Sequence, residues 1–113
     1  MIGKLTGTVD GIAADRLILD VGGVGYEVMA SAGVLRRAAP GARLALAIDT
    51  HVRQDAIVLY GFADEDERGW FRLLQSVQGV GAKIALSLLS ALPEGALARA
   101  IALQDKAALQ SAD

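Results

Sequence analysis

The chain has 113 residues, 53% of them apolar, with 11 basic against 13 acidic side chains and a formal charge of −2. Wholesale disorder is excluded by that apolar content, which leaves room for one ordinary domain or two very small ones. With no cysteine, disulfide frameworks and thiolate metal sites are excluded, and with six basic and six acidic groups in 1–62 and five and seven in 63–113, so is a general positive field.

Met1-Ile2-Gly3-Lys4-Leu5-Thr6-Gly7 has no basic segment leading into an apolar run, so no signal peptide is read there. The longest apolar stretch, 84–92, contains two serines and is too short to span a bilayer. A soluble, cytoplasmic chain without membrane association is the expectation. Residues then alternate with period two, as half-buried strands do. Leu5, Gly7 and Val9 alternate with Lys4, Thr6 and Thr8, and Leu17, Leu19 and Val21 with Arg16, Ile18 and Asp20. Gly22-Gly23-Val24-Gly25 supplies a tight turn, since the strand-like Tyr26-Glu27-Val28 that follows is no dinucleotide-binding helix. Tyr26, Val28 and Ala30 predict a third strand, and Ser31 caps a short helix to Arg37 that ends before Pro40-Gly41. Leu44, Leu46, Ile48 and Val52 predict a fourth strand, and 57–62 a fifth. Five strands with one helix after the third match an OB-type barrel; an SH3-like barrel or small open sandwich would give a similar pattern.

Helical spacing takes over near Gly61 to Ala63, so the expected organisation is α+β: a five-stranded OB-like barrel over 1–62, then an all-α domain over 63–113. Asp64 is read as a helix cap, with Glu67 completing a capping box and the acids facing the positive end of the dipole. The helix should bury Phe71 and Leu74, with Trp70 and Val77 beside them. A second should bury the stripe Ile84, Ala85, Leu88, Leu89 and Leu92. A third is expected from Pro93 through Leu97 and Ile101, and a fourth from Gln104-Asp105 through Leu109.

Between the first two of these helices lies Gly79-Val80-Gly81-Ala82-Lys83. Two glycines one residue apart allow positive φ and a close approach of backbone to a ligand. Gly81 stands where the second helix starts, so unpaired N–H groups at the positive dipole end would suit a phosphate, with Val80 turned inward and Lys83 adding a charge. A plain helix–helix turn explains the same spacing equally well. A nucleotide loop does not, because a helix precedes the glycines and Ile84 follows the lysine. Nothing in the segment could read base edges, so any DNA binding would be sequence-independent and salt-sensitive. Gly81→Val would then block backbone approach and strain the turn.

Met1-Ile2-Gly3-Lys4-Leu5, Val21-Gly22-Gly23-Val24-Gly25-Tyr26-Glu27-Val28, Val52-Arg53-Gln54-Asp55, Leu59-Tyr60-Gly61-Phe62 and Gly79-Val80-Gly81-Ala82-Lys83 occur in this order and spacing. Together they resemble the RuvA family of bacterial Holliday-junction recognition proteins. The resemblance implies an OB-like domain that forms a homotetramer, then a helix-hairpin-helix DNA-binding domain. It implies a non-catalytic subunit, without cofactor or metal, that holds four-way junction DNA open and square. It also implies loading of the RuvB ATPase motor for branch migration in recombination and repair, with the RuvC resolvase in the wider complex. Gly79 to Lys83 would contact the DNA backbone. An acidic pin, usually two adjacent carboxylates, would stand at the junction centre. Here that pair is Gln54-Asp55, so only Asp55 keeps the charge. A second Gly-x-Gly hairpin, a linker and a motor-binding domain are expected beyond Asp113.

Two other classes compete. Asp49 and His51, two apart on one strand with Asp55 nearby, could hold Mg²⁺ or Mn²⁺ in a nuclease. A pure oligomerisation or adaptor module would bind no DNA.

Overall fold

The computed structural model describes residues 1–91. β1 (Lys4–Ile12), β2 (Arg16–Val21) and β3 (Val24–Ala30) form an antiparallel meander. The β2–β3 connection is tight because Gly22 and Gly23 take φ values of 62° and 94°, the positive pair that matches strand twist in a two-residue hairpin. Asp20 Oδ1 accepts from Gly23 N–H at 2.7 Å and steadies it. After α1 (Ala32–Arg37), β4 (Arg43–Val52) and β5 (Ile57–Phe62) make a second antiparallel pair. β4 also pairs with β1, and β5 runs parallel to β3, which closes a barrel in the order β1-β2-β3-β5-β4.

Closure requires β1 to serve two partners. Its first residues pair with β4 and its last with β2, and the register shift between Val9 and Gly11 bends it from one to the other. Inward positions fill the interior with Leu5, Val9, Leu17, Leu19, Val28, Leu46, Ile48 and Leu59. Val34 of α1 joins them. Ser31 caps α1 by accepting from Val34 N–H at 3.4 Å. Val52 departs from the predicted pattern: it lies in β4 on the inward parity yet is 60% exposed. Residues 52–57 are all exposed, so the end of the β4–β5 hairpin has no opposite wall to face.

α2 (Glu65–Gln75) starts where Asp64 Oδ1 accepts from Glu67 N–H at 2.8 Å. The return arm of the expected box is displaced. Glu67 Oε1 accepts from Ala63 N–H at 3.4 Å and from the buried Ser31 hydroxyl at 3.1 Å, so one serine serves two helix starts. Arg68 Nη1 donates to the carbonyls of Gly3 and Ile48, both at 2.9 Å, and Nη2 pairs with Glu65. These bonds place the first turn of α2 with the barrel: one unit runs from Met1 to Arg68 and a second begins at Gly69.

In the second unit, Phe71 and Leu74 of α2 are fully buried, with Trp70 and Val77 half-buried. α3 (Ala82–Ala91) buries Ala82, Ala85, Leu86 and Leu88, while Ile84 and Leu89 are only half-buried. The buried face is thus turned from the predicted stripe toward Leu86. Nearly every residue of 84–89 is apolar, so spacing could not select among faces. Leu92 and the helices expected from Pro93 and Gln104 lie outside the described residues. Among the described residues no helix is long and apolar enough to cross a membrane.

Candidate nucleic-acid interface

The α2–α3 turn is built from local hydrogen bonds. Ser76 N–H donates to Leu73 O, Val77 N–H to Leu74 O and Val80 N–H to Val77 O, each at 3.1 Å. Gly79 alone of the two glycines takes the left-handed conformation, at φ 86°. Gly81 does a different job. Ala85 N–H donates to Gly81 O at 2.9 Å, the first turn of α3. The N–H groups at that helix start have no intrahelical acceptor and lie at its positive end. Gly81 is exposed, its φ is outside the left-handed range, and a Cβ there would meet nothing within 4 Å. The expected strain at Gly81 is therefore absent, and what glycine supplies there is open space over the helix start. Ala82 is buried, Val80 half-buried and Lys83 exposed, so a cationic side chain two residues after Gly81 is open to solvent.

The β4–β5 hairpin carries the other predicted residues. Gln54 and Asp55 form its exposed tip, closed by Arg53 N–H donating to Ala56 O at 2.8 Å. Behind the tip, Asp49 and His51 share one face of β4, Arg53 follows just beyond the strand, and Tyr60 of β5 lies directly opposite Asp49. His51 Nε2 and Asp49 Oδ2 lie 3.1 Å apart, the His51 and Tyr60 rings meet at 4.7 Å, and Arg53 Nη2 donates to Tyr60 Oη at 3.2 Å. Among the described residues no three carboxylates or imidazoles come together as a metal site would need. Asp49, His51 and Asp55 are not gathered into one. Sequence reasoning missed the Arg53–Tyr60 contact. The spacing of Asp49, His51 and Arg53 in the sequence hints at a row, but only the strand register brings Tyr60 to it.

The outer β2–β3 face, which OB barrels commonly offer to oligonucleotides, has a different character here. Arg16 donates to Asp15 at 2.9 Å and to Glu27 at 3.2 Å. Asp15 first, then Glu27, hold its guanidinium above the ordinary arginine value. Asp20 adds a further exposed carboxylate.

Residues 1–61 match the RuvA N terminal domain family, which is more than half of the chain. The chain belongs to the RuvA family. It is 62% identical over 110 residues to the Holliday junction branch migration complex subunit RuvA of Beijerinckia indica, covering 96% of this chain and 54% of that protein. The RuvA of Bradyrhizobium sp. strain BTAi1 is 58% identical over 110 residues, with the same coverage. That of Rhodospirillum centenum is 57% identical over 114, covering all of this chain and 55% of the relative. The chain thus spans about half the length of the curated RuvA relatives it matches. The family match ends ahead of α2, whereas likeness to RuvA of Rhodospirillum centenum runs on through the α2–α3 turn.

Proposed function

We propose that this chain is the DNA-binding part of a non-catalytic subunit that recognises four-way junctions by shape rather than sequence. The observation that carries the reading is the open start of α3, where exposed Gly81 leaves the backbone uncovered and exposed Lys83 follows two residues on. Such a start accepts a phosphate oxygen through N–H groups and dipole. The relatives' name, Holliday junction branch migration complex subunit, supplies the substrate. In this reading residues 1–62 form a tetramerising OB-like domain at the junction centre, and 63–113 a helix-hairpin-helix domain that grips the arms. Gly79 to Lys83 hold phosphate. Asp55, with Gln54 beside it, is a pin of reduced charge that repels phosphates from the centre. The assembly loads the RuvB motor, whose ATP hydrolysis drives branch migration, and works alongside RuvC.

A single turn of this kind reaches only one or two phosphates, so affinity grows through joining several copies. A titration of four-way junction against linear duplex of the same composition tests the reading. Clear preference for the junction is expected, and equal affinity overturns it. Lys83→Ala should weaken binding to all sequences alike and lower the salt slope by about one unit per turn engaged. A slope unchanged across a salt series would remove Lys83 from the contact.

A further inference from the structure

The tip of the β4–β5 hairpin poses an electrostatic problem. Asp55 is its only carboxylate, because Gln54 is neutral, and Arg53 stands two residues away with an opposite charge on a long, flexible stem. Left to itself, that guanidinium would reach the carboxylate and cancel the tip. Instead it turns the other way. Arg53 Nη2 donates to Tyr60 Oη at 3.2 Å. Tyr60 stands three residues behind Ile57 in β5, roughly 10 Å back from the turn at about 3.4 Å per residue. The acceptor is itself well fixed. Tyr60 is only 5% exposed and its ring is tilted against His51, which sits 3.1 Å from the Asp49 carboxylate. A surface arginine bonded to a buried, packed hydroxyl gives up less freedom than one chasing an exposed carboxylate on a turn.

We propose that the Tyr60 hydroxyl is a charge-separating clasp, which holds the Arg53 guanidinium back along the hairpin and leaves Asp55 the sole charge at its tip. The clasp rests on the reading of Asp55 as a phosphate-repelling pin. It explains how one carboxylate can do that work with a cation two residues away. Tyr60 is a positioning residue here: it acts on DNA only through where Arg53 lies.

Tyr60→Phe removes the one oxygen and keeps the ring on His51. Released, Arg53 pairs with Asp55 and neutralises the tip, so junction binding should tighten about threefold, the scale of one exposed ion pair. Asp55→Asn should tighten binding in the same sense. Linear duplex, which has no centre, should bind both variants as it binds the parent. The decisive arms are the doubles: Tyr60→Phe should add nothing in an Asp55→Asn background, nor in an Arg53→Gln background. A purely structural tyrosine would have the same effect in all three. If Asp55→Asn tightens binding and Tyr60→Phe leaves it unchanged or weaker, the clasp is wrong. An undiminished Tyr60→Phe effect in either double would overturn it as well. If Asp55→Asn itself binds no tighter, the pin reading fails and takes the clasp with it.

Discussion

A Gly81→Val chain is expected to melt where the unsubstituted chain melts and to bind a four-way junction about ten- to a hundredfold more weakly. The first half follows from geometry. Gly81 has no left-handed φ to strain, and a Cβ there meets nothing within 4 Å. The second half follows from what occupies that space during binding. A branched side chain would stand over the N–H groups that start α3, holding a phosphate oxygen beyond hydrogen-bond range. A hydrogen bond to a charged group contributes about 1.5–3 kcal/mol, which converts to that loss for each turn engaged. Gly79→Val makes the contrast. At φ 86° any β-branched residue is strained, so its melting temperature should fall whether or not DNA is present. Calorimetry and an anisotropy titration on the two variants separate them. A folded Gly81→Val chain that binds the junction normally would dismiss the backbone–phosphate mechanism.

The largest stability effect is expected within the barrel, at Gly7. A Cβ there would lie 2.3 Å from the Asp20 carbonyl oxygen and 3.0 Å from its carbon, both backbone atoms of the neighbouring strand. No side-chain rotation relieves that contact, so β1 and β2 must part where the barrel is stitched. Gly7→Ala should cost about 3 kcal/mol, the upper end of ordinary overpacking, and lower the melting temperature by roughly 10–20 °C. Gly11→Ala is the control. It adds the same methyl to the same strand where nothing lies within 4 Å, and should leave melting almost unchanged. Equal melting of the two alanine variants would show that β1 can shift to absorb the methyl.

Much of this protein is legible residue by residue, because the deciding interactions are local. Alternation along 4–9 and 16–21 marks the first two strands, since neighbouring side chains in a strand face opposite sides. Ser31 and Asp64 mark helix starts because their oxygens reach an N–H three residues on. Gly22-Gly23 marks its hairpin because only glycine takes two positive φ values in succession without strain. The Gly79 to Lys83 spacing likewise announces a turn ahead of a helix, but not which glycine carries the strain.

Tertiary structure decided the rest, wherever the partner is distant in the chain. The parallel β3–β5 pairing joins residues about thirty apart in sequence, and no local pattern encodes it. Arg68 reaches Gly3 and Ile48, and Glu67 reaches Ser31, contacts that exist only once the barrel has closed. Val52 keeps the inward parity but loses its wall, and α3 buries Leu86 while Ile84 and Leu89 stay half-buried, a choice helical spacing cannot foresee. The sequence alone therefore determined the elements, their turns and the candidate phosphate-binding segment, because each depends on residues within a few positions. Only the folded chain decided that Gly79 bears the strained φ while Gly81 stays open, and that Arg53 turns to Tyr60 rather than Asp55. Those outcomes depend on φ values and on a strand register, which the packing of the whole chain sets.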